Sequence, residues 1–164
     1  MMKLQNMVRC GCCAALIAVC AWLSVPVGQI AVTMQTFGVF LTLLLMGGKK
    51  GTLACGVYLL LGAVGLPVFS GFQGGPGVLL GPTGGYLLGF LLLALCYWLL
   101  QKKLGQLPAL LLGLLLCYGC GTAWFYWMYG GGLWAVLMNC VIPYLIPDGI
   151  KLLLAVTVRK RLRL

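Results

Sequence analysis

The chain has 164 residues, of which 63% are hydrophobic and only 7% are charged. Charged residues make up roughly 25% of a typical soluble domain, so a soluble globular fold is excluded and the lipid bilayer is the solvent that fits. Eleven Lys and Arg residues against one acidic residue give a net charge of +10, but they stand in small groups between long apolar runs. That distribution is typical of membrane orientation and not of nucleic-acid binding.

The apolar runs predict transmembrane helices, because lipid cannot satisfy a free backbone and a span needs about 20 residues. In chain order, the predicted spans cover residues 10–27, 32–46, 52–69, 84–100, 107–128 and 147–161. The stretch 133–145 is too short to span and is predicted to be re-entrant or interfacial. The expected fold is a single all-α membrane domain, a bundle of six transmembrane helices with re-entrant or irregular outer loops.

The last predicted helix begins at Pro147. Proline suits the first position of a helix, where its missing N–H would have no partner in any case. Asp148 then falls in the first turn, where the helix dipole favours a carboxylate.

Basic residues occupy every second connection between the predicted spans, and the alternate connections carry no charge. These basic residues are Lys3, Arg9, Lys49, Lys50, Lys102, Lys103, Arg159, Lys160, Arg161 and Arg163. By the positive-inside rule, six crossings place both chain ends in the cytoplasm. A cleaved signal peptide at the N-terminus is the alternative, but its removal would leave five crossings.

The uncharged loop FSGFQGGPGVLLGPT, residues 69–83, is rich in Gly and Pro and still apolar. A solvated linker would be richer in Ser or charge. This composition predicts a loop that folds back onto the protein and lets its backbone approach a ligand closely.

The chain has few residues that could perform catalysis or bind a metal, because it contains no His, no Glu and one Asp. Paired carboxylates, Ser-His-Asp groupings and zinc sites are thereby disfavoured. Cys117 and Cys120 have metal-like spacing but no second pair nearby, so we expect no metal and no cofactor. The GGKKGT run at 47–52 lacks the spacing of a phosphate-binding loop, which indicates that the chain does not hydrolyse ATP by itself.

Asp148 and Lys151 are the informative pair. Three residues apart on a helix, they share one face within an otherwise apolar stretch. Ionisable groups at membrane depth usually mark a binding site or an ion path. A structural ion pair and a proton relay remain alternatives.

Further polar residues fall toward the same outer half of the predicted bundle. They are Thr33, Gln35, Thr36, Gln73, Thr83, Tyr86 and Asn139. Polar groups that converge in an apolar, aromatic cavity describe a small-molecule pocket.

Two stretches carry a family resemblance. The first is VTMQTFGVFLTLLLMGGKKGTLACGVYLLLGAVGLPVFSGFQGGPGVLLGPTGGYLLGF, residues 32–90, and the second is IPYLIPDGIKLLLA, residues 142–155. They resemble the BioY proteins, the biotin-specific substrate-binding subunits of energy-coupling factor importers. Here the glycine of the second motif follows the aspartate, and the spacing from Asp148 to Lys151 is unchanged.

The resemblance implies a six-helix bundle in a bacterial cytoplasmic membrane, with its pocket on the extracellular side. It also implies three partner subunits, namely a membrane coupling subunit and two cytoplasmic ATPases. In that family an Ala-x-x-x-Ala face of the first helix docks on the coupling subunit, which would assign Ala14 and Ala18.

Biotin itself suits the polar residues. Its ureido N–H groups suit the Asp148 carboxylate and its carboxylate tail suits the Lys151 ammonium, although the two ends could be reversed. Aromatic residues such as Phe37, Phe72 and Tyr86 could cover the apolar bicycle. The alternatives are another vitamin in the same fold, or a membrane enzyme acting on lipid, which the missing His and second acid disfavour.

Overall fold

The computed structural model describes residues 4–27, 30–130 and 132–162, so Lys3 and Arg163 of the predicted orientation lie outside the described residues. Its helices are α1 (Leu4–Trp22), α2 (Gln35–Met46), α3 (Gly48–Ala63), α4 (Pro76–Leu79), α5 (Gly84–Leu104), α6 (Gln106–Tyr129), α7 (Leu133–Cys140) and α8 (Ile142–Arg161). Two strands, β1 (Ser24–Val27) and β2 (Ile30–Thr33), lie between α1 and α2, and a 3-10 turn spans Ser70–Phe72. The predicted helical architecture is confirmed.

Within these ranges, helical stretches long and apolar enough to cross a membrane are Leu4–Trp22, Gly84–Leu104, Gln106–Tyr129 and Trp134–Arg161. α2 is apolar but has only 12 residues. The long helices expose leucines such as Leu99, Leu115 and Leu153 on their outer sides, which suits lipid and not water. A multi-pass membrane protein is therefore supported, whereas the number of six spans is not confirmed.

A hairpin replaces part of the first two predicted spans, which were placed at 10–27 and 32–46. α1 begins earlier and ends at Trp22, and β1 pairs with β2 in antiparallel fashion, with Val25 opposite Val32. β-branched residues that alternate along a segment favour a strand over a helix.

The third predicted span, 52–69, is shifted toward the N-terminus, since α3 begins at Gly48 and ends at Ala63. Gly65 has a φ of 108°, a conformation that favours glycine and commonly follows a helix end. The Pro at position 67 also disfavours a longer helix. The loop before α5 is thereby longer than predicted.

The predicted helix start at Pro147 was wrong, and the stretch 133–145, predicted to be re-entrant or interfacial, is divided between two helices. α7 ends at Cys140, the backbone turns at Val141, and α8 then runs from Ile142 with Pro147 inside it. Pro143 takes the early position that proline favours. Asp148 consequently lies in the second turn of α8 and not in the first turn of a helix.

The predicted docking residues Ala14 and Ala18 do not lie on the surface. Their exposed fractions are 1% and 5%, and both belong to the core where α1 packs on α2 and α3. Small side chains at i and i+4 allow such close helix packing. Gly11 and Ala15 are small residues of α1 that are exposed. They lie three residues before Ala14 and Ala18, on a neighbouring side of the helix.

Basic residues gather at one end of the bundle. The Lys50 ammonium donates to Asn6 Oδ1 at 3.0 Å, and the Arg159 guanidinium donates to Gln106 Oε1. The start of α3 also packs against Trp98, near the end of α5. This end of the bundle therefore contains the first residues of α1, α3 and α6 and the last residues of α5 and α8.

Glycines bring the backbones of α5 and α6 close together. A Cβ on Gly113 would lie 2.9 Å from the Leu93 carbonyl oxygen, whereas a Cβ on Gly119 of the same helix meets nothing within 4 Å. We expect Gly113→Leu to lower the free energy of unfolding by about 1–3 kcal/mol, the usual effect of overpacking. Gly119→Leu is the matched control, and thermal unfolding in detergent measures both. Equal melting temperatures would contradict this packing.

Candidate functional site

A cavity of about 470 Å³ lies inside the bundle, in the volume range typical of small-molecule sites. The first turn of α2, the loop before α5, and residues of α5, α6, α7 and α8 form its wall. The lining residues are Ser24, Ala31, Thr33, Gln35, Thr36, Phe69, Ser70, Gly71, Gln73, Val78, Thr83, Tyr86, Leu87, Phe90, Leu114, Cys117, Tyr118, Cys140, Tyr144, Asp148 and Lys151. Because the hairpin and the 69–83 loop border it, the cavity lies toward the end opposite the basic residues.

Asp148 and Lys151 lie on one face of α8, as their spacing predicted. The Lys151 ammonium donates to Asp148 Oδ1 at 2.6 Å. Lys151 is only 6% exposed and Asp148 only 4%. The Tyr118 hydroxyl, on α6, donates to the other carboxylate oxygen at 2.6 Å. Each carboxylate oxygen thus has a partner, and the charges neutralise each other, as buried charges require.

Among the residues that the structure describes, this cluster still has free hydrogen-bonding capacity. A carboxylate offers about four lone-pair positions and an ammonium offers three donors. Two of those acceptor positions and one donor are used within the cluster. A neutral group that carries both N–H donors and a carbonyl acceptor matches the remaining lone-pair positions of the carboxylate and the remaining donors of the ammonium.

Tyr86 is held at the cavity wall by two contacts. Its hydroxyl donates to the Cys140 carbonyl oxygen at 3.2 Å. Its ring lies where a Cβ on Gly121 would be, since that Cβ would come within 2.3 Å of the ring. The glycine of α6 therefore makes room for the aromatic side chain that the sequence placed in the pocket.

Gln35 enters the cavity from the first turn of α2. Its Nε2 donates to the Tyr58 hydroxyl at 2.8 Å, and that hydroxyl donates to the Val68 carbonyl oxygen at 3.1 Å. The chain of bonds links the cavity wall to α3 and to the start of the loop that carries Phe69.

Six of the predicted substrate-binding residues are thus brought together at one cavity. They are Gln35, Gln73, Thr83, Tyr86, Asp148 and Lys151. Thr33 and Thr36, whose polar side chains also pointed to a pocket, line it as well.

Phe37 and Asn139 are not among the lining residues. Phe37 packs partly buried against the core, because successive residues of a helix point about 100° apart and its neighbour Thr36 takes the cavity side. Asn139 is exposed, and its amide donates to the Ala135 carbonyl oxygen at 2.8 Å. Phe72 is 65% exposed and stacks on Trp22 with ring centroids 5.0 Å apart.

A family match covers the entire sequence. The BioY family model matches residues 1–164. The chain belongs to the BioY family.

Named BioY proteins are similar over much of their length. The biotin transporter BioY of Thermotoga maritima is 51% identical over 100 residues, which are 61% of this chain and 59% of that protein. The chain therefore spans less than two thirds of that relative. The probable biotin transporter BioY of Pyrococcus horikoshii is 39% identical over 91% of this chain and 90% of its own.

A solved structure shares the fold. The crystal structure of the S-component for biotin from an ECF-type ABC transporter superposes with a TM-score of 0.89 and 28% identity. The match covers 99% of this chain and 95% of that chain. The names of these relatives describe transport proteins.

Tyr118 is the most consequential residue that sequence reasoning missed in this BioY chain. A buried tyrosine hydroxyl usually finds a partner, and Asp148 is the only carboxylate side chain in the sequence. Those two facts together could have pointed to Tyr118. No such signal marked Phe69, Phe90, Cys117 or Cys140, because apolar and aromatic residues are common throughout the spans.

Proposed function

We propose that this chain binds biotin and acts as the substrate-specific subunit of an energy-coupling factor vitamin importer. The observation that carries the proposal is the buried Asp148–Lys151–Tyr118 cluster in the cavity wall of a BioY family member. The names of the related biotin transporters and of the superposed S-component support the same ligand.

The geometry of the cluster favours the ureido ring as the end of biotin that meets it. A ligand carboxylate at Lys151 would lie beside the Asp148 carboxylate, which is only 2.6 Å from the ammonium, and like charges repel. A ureido group is neutral and can donate an N–H to Asp148 while its carbonyl accepts from Lys151. We therefore assign both residues to the ureido ring and direct the carboxylate tail toward the loops.

Biotin binding is tested with the purified chain in detergent or nanodiscs. We expect a saturable signal for biotin in calorimetry and no competition from riboflavin or thiamine. A chain that binds riboflavin or thiamine and ignores biotin would overturn the proposed ligand while leaving the fold and the family unaffected.

We also propose that transport needs a membrane coupling subunit and two cytoplasmic ATPases. The chain offers no phosphate-binding loop in its sequence, and the S-component that it resembles comes from an ECF-type transporter. Since Ala14 and Ala18 are buried, we assign the docking surface on α1 to its exposed side, which carries Gly11 and Ala15.

The proposed orientation places the basic end of the bundle and both chain ends in the cytoplasm. The positive-inside rule supports it, and so do the contacts that gather the helix ends near Lys50 and Arg159. The cavity would then face the outside of a bacterial cytoplasmic membrane, where a vitamin to be imported is found.

A further inference from the structure

Tyr58 lies behind the cavity wall. It is 1% exposed, it does not line the cavity, and its hydroxyl contacts Gln35 and Val68. Its ring packs edge-on against Phe69, with centroids 5.6 Å apart. Gln35 is itself buried and does line the cavity. Tyr58 can therefore influence a ligand only through its neighbours.

The hydrogen bonds fix which way the Gln35 amide points. A backbone carbonyl only accepts, so Tyr58 gives its single hydroxyl hydrogen to Val68. The Tyr58 oxygen must then accept from Gln35, and only the amide nitrogen can donate. A side-chain amide can usually flip its oxygen and nitrogen, but here only one orientation satisfies the chain of bonds.

This orientation leaves Gln35 Oε1 as a hydrogen-bond acceptor without a partner in the part of the chain that the structure describes. The nearby carboxylate differs, because both oxygens of Asp148 already receive a bond from the protein. A ureido ring has two N–H groups and therefore needs two acceptors.

We infer that Tyr58 is a positioning residue, which orients the Gln35 amide so that Oε1 accepts one of the two ureido N–H groups of biotin. The inference rests on the proposed biotin function. Asp148 accepts the other N–H, so the cavity matches both donors of the ring.

A double-mutant cycle on biotin affinity tests the coupling between Tyr58 and Gln35. Tyr58→Phe keeps the ring packing and frees the amide, and we expect the Kd to rise about five- to tenfold, the loss of one net hydrogen bond. Gln35→Met should have an equal or larger effect. If Tyr58 acts through Gln35, the double variant binds no more weakly than Gln35→Met alone. Effects that multiply would overturn the inference.

Tyr97→Phe is the matched control, because the Tyr97 hydroxyl is equally buried, has no hydrogen-bond partner within the described residues and lies outside the cavity lining. Its biotin Kd should equal that of the unsubstituted chain. An increase as large as that of Tyr58→Phe would show a general effect of losing a buried hydroxyl, and the positioning role would fall.

Biotin analogues methylated on one or the other ureido nitrogen give a second measurement. We expect both analogues to lose affinity for the unsubstituted chain. The analogue methylated on the nitrogen that donates to Gln35 should lose about five- to tenfold less in both Gln35→Met and Tyr58→Phe. Unchanged losses for both analogues would refute the contact while biotin binding stands. Failure of the unsubstituted chain to bind biotin at all would remove the proposed function and this inference together.

Discussion

The double substitution Asp148→Asn with Lys151→Met should leave a folded protein that binds biotin at least about 100-fold more weakly. The two changes remove the carboxylate and the ammonium together, so no uncompensated charge stays in the bundle. Replacing a whole buried ion pair is often neutral for stability. Each lost charge-assisted hydrogen bond to the ligand accounts for about 1.5–3 kcal/mol, and two of them give the expected loss of affinity.

The single variants provide the comparison. Asp148→Asn alone or Lys151→Met alone leaves one buried charge without its 2.6 Å partner, which typically destabilises a protein by about 3–5 kcal/mol. We therefore expect both single variants to melt below the double variant in the absence of biotin. Calorimetric affinity and melting temperature in detergent measure the two effects. A double variant that retains the biotin affinity of the unsubstituted chain would reduce the pair to a structural ion pair.

Gly11→Trp should lower biotin uptake by at least about tenfold in cells that supply the coupling module, while biotin binding by the purified chain stays unchanged. Gly11 is exposed on α1, and a Cβ built there meets no atom within 4 Å. The indole therefore has space within this chain, but it would obstruct a helix of the coupling subunit, since close helix packing in membranes needs small residues.

The control for this prediction is Gly119→Trp on α6, which is exposed and has equally open surroundings. It should leave uptake and co-purification of the coupling subunit intact. Ala14→Trp cannot serve the same purpose, because Ala14 is buried and its enlargement would disturb the core. Normal uptake by Gly11→Trp, with the variant present in the membrane, would refute the docking side assigned to α1.

The sequence could predict the membrane fold and the polar pair because both follow from strong physical constraints. Long apolar runs have few stable alternatives to helices in lipid, and an acid and an amine three residues apart share a helix face. The contact between Asp148 and Lys151 therefore follows from their spacing alone. Gln73 and Thr83 followed from their polar side chains, which stand out in an otherwise apolar loop.

The helix ends could not be predicted as well, because they depend on tertiary packing. Pro147 matched a helix start by its chemistry, yet α8 continues through it from Ile142. The hairpin near Val25 was hidden in an apolar stretch that a helix would also have tolerated. Such stretches give no periodicity that separates strands from helices.

Which side of α1 faces the core could also not be predicted from the sequence. Ala14 and Ala18 match a small-residue motif, but Gly11 and Ala15 have the same spacing on the neighbouring side of the helix. Only the positions of α2 and α3 decide which pair is covered. Motifs of small residues therefore indicate close packing without naming the partner.

The position of α2 has a consequence for how a filled cavity could be sensed outside. Gln35 and Thr36 line the cavity, and one turn further along Gly38 lies against α1, where an added Cβ would be 3.1 Å from the Ile17 Cα atom. The other side of α1 bears the surface assigned to the coupling subunit. A small rotation of α2 on ligand binding would thus press directly on the Ile17 backbone and the short Cys20 side chain of α1.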